Sequence, residues 1–163
     1  MTDLAVELAG FFAAHAVWCV CEGETLVPIL AFPDQGGAQQ FRRLEDERLE
    51  DAVARGQQWL AGNPERLAYA VLVYDGFITL ASGKTDALVL EVREYEPRNR
   101  ELRIVVPYRH ASASGGFAVH RPKFFDSTRT TLEISALADG FWRGVAKHEK
   151  GSVVWNEHLD EAV

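Results

Sequence analysis

Between residues 68 and 109 apolar runs and strict apolar–polar alternation follow one another, which leaves little room for anything but antiparallel strands. Residues 68–74 and 77–81 are apolar runs separated by Asp75-Gly76. That dipeptide favours a two-residue hairpin, because both central positions of the turn take positive φ. Ser82-Gly83-Lys84 marks a second turn. Leu88, Leu90 and Val92 then form one face of a third strand, with Glu91, Arg93 and Tyr95 on the other. Glu96-Pro97-Arg98-Asn99 reverses the chain. In the next strand Leu102, Ile104, Val106 and Tyr108 alternate with Arg103, Val105 and Arg109. The pattern predicts a four-stranded meander with at least one face on a core.

The flanking segments read differently. Residues 3–20 place Leu4, Leu8, Phe11, Phe12, His15 and Trp18 at steps of three and four, which predicts a helix capped by Thr2 or Asp3. Residues 25–32 read as a strand whose Pro28 suggests an edge position. After a turn at 33–37, residues 39–44 return as its hairpin partner. A second helix over 46–61 carries Leu49, Val53, Gly56 and Leu60 on one stripe and stops at Gly62-Asn63-Pro64. Residues 110–116 are a small-residue loop, and 117–125 a short edge strand interrupted by Pro122. The tail is helical over about 134–148; Gly151 is expected to break it and Ser152 to start a last short helix. No repeat or linker divides the chain. The expected fold class is α+β: one domain over residues 1–163, with a single antiparallel sheet (αββα, then a four- to five-stranded meander) and helices packed on one face.

Charge bounds the function. The 163 residues carry 24 acidic and 17 basic side chains, a net charge of −7, which argues against nucleic acid or an anionic membrane as partner. The first residues lack the basic stretch of a secretory signal, and the apolar run 8–20 is short for a bilayer. Two cysteines, Cys19 and Cys21, are too few for a disulfide framework, so a reducing cytoplasm is the expected compartment. Thirteen Arg against four Lys, with 21 Ala, is a bacterial-like composition typical of a GC-rich genome.

Motifs with chemistry are sparse. Ser82-Gly83-Lys84-Thr85 ends like a phosphate-binding loop, but Ile78 stands where its first glycine belongs and a strand follows. His15 and Cys19, one helical turn apart, could present two soft ligands to a metal, with Cys21 nearby; nothing completes the set, and no metal or other cofactor is expected. Asp75 and Glu91-Val92-Arg93 resemble the PD-(D/E)xK nuclease pattern over about twenty residues. That resemblance implies two acids on adjacent strands holding a divalent cation. The pattern departs at its base, where Arg93 replaces lysine and stays protonated. The histidines His15, His110, His120, His148 and His158 fall in no recognisable catalytic spacing.

The net charge hides an uneven distribution. Arg98, Arg100, Arg103, Arg109, Arg121, Lys123 and Arg129 face only Glu101 and Asp126 within residues 98–129. Arg109, His110, His120, Arg121 and Lys123 flank the small-residue loop, whose backbone amides could help hold an anion. They are the expected ligand-binding residues. The first functional expectation is a non-catalytic protein that binds a protein partner or itself, including a homodimer through a sheet edge. The second is an anion-binding protein or enzyme built on the basic cluster.

Overall fold

The computed structural model describes residues 1–126 and 131–163. The element order is α1 (Asp3–Val20), β1 (Ile29–Pro33), β2 (Gln39–Arg43), α2 (Leu49–Gly62), β3 (Tyr69–Leu80), β4 (Gly83–Glu94), β5 (Arg100–Arg109), β6 (Ala118–Val119), β7 (Lys123–Phe125), α3 (Thr131–Lys147) and α4 (Glu149–Glu157). The strands form one antiparallel sheet ordered β2-β1-β3-β4-β5-β6, with β7 also paired to β5. The class is α+β, as the alternation implies. Arg129 lies outside the described residues.

The period of two sorts side chains onto two faces. Val71 and Val73, Leu88, Leu90 and Val92, and Leu102, Ile104 and Val106 meet α1, α3 and α4 in the main core. Leu30, Phe32, Ala70 and Leu72 point the other way and pack with Ala52 and Leu60 of α2. Three helices thus share one face, and α2 covers part of the opposite face over β1 and β3.

Helix α1 is long and apolar enough, by length and composition, to cross a membrane. In this fold its apolar face is instead buried against the sheet and the C-terminal helices. Small residues make that packing close. A methyl group on Gly10 would overlap the carbonyl oxygen of Phe141; one on Gly144 would overlap that of Glu7, and one on Gly151 that of Ala14. Backbone therefore meets backbone where α1 crosses α3 and α4. Across the same crossing Glu7 accepts from Lys147 Nζ at 2.6 Å and Arg143 Nε at 3.1 Å. Those donors hold its carboxyl below the usual range.

Three expectations are corrected. Asp75-Gly76 is no turn: β3 runs straight through it in unbroken register with β4, Asp75 opposite Leu88 and Gly76 opposite Ala87. The hairpin closes at residues 81–82, before Gly83 with φ +115°, so the meander has three long strands. Asp75 is held in the strand by the Tyr108 hydroxyl, which lies 2.9 Å from both carboxylate oxygens. Pro28 does not mark an edge, because β1 lies between β2 and β3 and Pro28 precedes it. Gly151 does not break the tail; it lies inside α4, and the break falls at His148. The reason is Ala14, whose carbonyl tolerates no side chain there.

Adding one methyl where backbone already touches backbone costs about 3 kcal/mol. Gly144→Ala is therefore expected to lower the thermal midpoint sharply, checked by circular dichroism melting. Gly62→Ala is the control: none of the described residues lies within 4 Å of its added methyl, so it should be neutral or slightly stabilising.

Candidate functional site

The five basic residues singled out by sequence are largely engaged with their own backbone. Arg109 donates from Nε to the Gly116 carbonyl at 2.7 Å and from Nη2 to that of Gly115 at 3.1 Å, closing the small-residue loop. His110 turns its Nδ1 to the hydroxyl and amide of Ser112. His120 is buried, 3.0 Å from the carbonyl oxygen of Asp160, and Arg121 reaches toward that of Glu161. These contacts pin the C-terminal tail, where Val119 and Leu159 bridge in parallel. Lys123 sits on β7, opposite Val105. Arg109 and His120 thus hold separate pieces of chain.

The nuclease-like acids do not converge either. Asp75 shares the face of Val71 and Val73 and meets Tyr108, whereas Glu91 accepts from Gln57 of α2 on the opposite face. Among the described residues no group of three or more His, Cys, Asp or Glu is placed to hold a metal ion. Burial raises both thiols, Cys19 and Cys21, above the ordinary range, and Cys21 donates to the Trp18 carbonyl at 3.1 Å.

A different cluster forms at the β2 end of the sheet, where α1, β2 and the start of α4 meet. His15 and Trp18 project from α1, Phe41 from β2, and His148 from the N-cap of α4. His15 lies 5.7 Å from Trp18 and 5.8 Å from Phe41, centroid to centroid, and Lys150 caps the Trp18 ring. A cleft of about 320 Å³ opens beside them, between His15, Phe41, Arg43 and Leu26. Phe41 remains 49% exposed and Trp18 39%.

The two histidines have settled proton positions. Gly151 N–H donates to His148 Nδ1 at 2.8 Å, so that nitrogen must keep its lone pair. The proton of neutral His148 is then on Nε2, which lies 3.1 Å from His15 Nδ1 and donates to it. His15 in turn carries its own proton on Nε2. A further proton on either ring would break one of these two bonds. Burial lowers both basicities, with His148 and Arg43 adding to the effect at His15 and Lys150 at His148. Both imidazoles are therefore neutral at neutral pH, in an aromatic surface flanked by the charged Lys150 and Arg43. Spacing showed His15 and Trp18 on one helix face, but the signal linking them to Phe41 and His148 is absent from local sequence.

Beside this cluster the sheet ends in an open strand. Asp34 N–H donates to the Ala38 carbonyl and Leu44 N–H to that of Pro28. Even-numbered residues of β2 therefore bond inward to β1, and Gln39, Phe41 and Arg43 turn their N–H and C=O groups outward. Every residue of β2 is exposed. The opposite side of the sheet is closed by β6 and β7 on β5.

The sign of the pH effect follows from the lowered histidine basicities. The unfolded chain takes up protons near 6.5 while the folded pair resists them, so stability is full above that pH and is lost as pH falls below it. Thermal melts between about pH 7 and pH 5.5 should show this loss. His148→Asn, which keeps a capping side chain, should flatten it.

No family model matches the chain, and no curated protein or solved structure does.

Proposed function

We propose that this chain is a non-catalytic interaction protein that pairs through the open edge of β2 with a second copy of itself. The observation that carries the reading is the outward set of backbone groups at Gln39, Phe41 and Arg43, beside an exposed aromatic cluster. An unpaired strand edge is a template for another strand, and monomeric proteins usually blunt it.

The edge is complementary to itself. Antiparallel pairing about Phe41 places Gln39 opposite Arg43 and Gln40 opposite Arg42 of the second copy. No two arginines then face each other, and each guanidinium meets an amide oxygen that can accept from it. The two Phe41 rings fall side by side on the α1 face, extending the aromatic surface of His15 and Trp18 across the two-fold axis. The anion-binding reading ranks below this one, because Arg109 and His120 already donate to, or lie against, carbonyl oxygens of their own chain.

Light scattering coupled to gel filtration should give a mass twice the 18.2 kDa of the chain. Phe41→Lys should return the mass to that of one chain without unfolding it, since the ring is half exposed. A wild-type protein that stays monomeric at its highest soluble concentration, or a dimer indifferent to Phe41→Lys, would contradict the proposal.

A further inference from the structure

A second open edge lies elsewhere on the sheet. β1 pairs with β3 only at Val71, Leu72 and Val73. Among the described residues, β3 from Tyr74 to Leu80 is paired on one side alone, to β4. The pairing of Ile29 with Val73 and Ala31 with Val71 sets odd-numbered residues of β3 toward the β1 side. Asp75, Phe77 and Thr79 therefore turn N–H and C=O groups outward that meet no backbone partner among the described residues.

This edge borders a cleft of about 490 Å³ against the first turns of α2. Leu49, Val53, Tyr74 and Phe77 supply its apolar surface, and Phe77 is 61% exposed. Its charged lining is of one sign: Glu50, Asp75 and Asp86, with no lysine or arginine among the described lining residues. Phe77 already holds a cation on its face, the Lys84 ammonium 4.1 Å from the ring centroid. Burial keeps the Asp75 carboxyl above the usual carboxylate range despite the Tyr108 hydroxyl, and Asp86 adds to the rise. A positive charge brought beside Asp75 and Asp86 would offset the repulsion between them.

We infer that the cleft between α2 and the free edge of β3 binds an extended peptide segment that alternates apolar and basic residues. The strand edge supplies main-chain hydrogen bonds, the apolar wall takes alternate side chains, and the acids select lysine or arginine. This surface is separate from the β2 edge and does not depend on dimer formation.

The test uses the full-length protein and three labelled peptides. One alternates valine and lysine, one valine and glutamate, and one is the valine–lysine peptide N-methylated along one backbone edge. Fluorescence polarisation reads affinity and amide NMR reads location. The valine–lysine peptide should bind and shift the Phe77 and Thr79 amides, while the other two should not. Glu50→Gln and Asp86→Asn should each weaken it about fivefold, the size of one partly exposed ion pair. Phe41→Lys should leave it unchanged. Failure of the valine–lysine peptide to bind, equal binding of the glutamate peptide, or amide shifts confined to other elements would overturn the inference. Undiminished binding of the N-methylated peptide would remove the strand-pairing part and overturn it as stated.

Discussion

The close crossing of α1 with α3 and α4 sets the rest of the molecule in place. Gly10, Gly144 and Gly151 each leave room for a carbonyl oxygen of the facing helix. Such contacts tolerate no side chain, so the three helices have one mutual arrangement, and dispersion across it is dense. Everything at the β2 end follows. His148 can cap α4 and reach His15 only because Gly151 brings α4 onto Ala14. The aromatic surface at Trp18 and Phe41 is then the outer rim of a helix contact.

Both proposed binding surfaces arise where the sheet runs out of partners. β1 is short, five residues against the twelve of β3, so it leaves the second half of β3 bare. β2 ends the sheet on the other side of β1. On the far side β6 and β7 pair with β5, and the C-terminal tail holds β6. The two free edges differ in chemistry. The β2 edge carries Arg42 and Arg43 beside aromatic rings, and the β3 edge carries carboxylates beside Phe77. The net charge of −7 is an average over surfaces that would recognise different things.

Much of the architecture was legible because it depends on local periodicity. The faces of β4 and β5, the extent of α1 and the return of β2 were readable from alternation and helical spacing. Asp75-Gly76 misled because turn propensity competes with strand register. The Tyr108 hydroxyl, distant in sequence, holds Asp75 in an extended strand. Gly151 misled for a related reason: a glycine inside a helix lowers helix propensity, but here the close approach of Ala14 outweighs that loss. The backbone partners of Arg109 and His120 were not legible, because sequence shows charge density and not which carbonyls it meets.

The residues by themselves therefore determined the class: an antiparallel sheet with an amphipathic helical layer, acidic overall, with no complete catalytic motif. These follow from side-chain period and composition, which are local quantities. Only the tertiary structure decided that β3 is continuous, that α2 lies across from the other helices, and that His15, Trp18, Phe41 and His148 share a surface. It also decided which backbone groups stay unpaired. Pairing of edges and docking of helices depend on contacts between residues far apart in the chain, and those energies are written in no single segment.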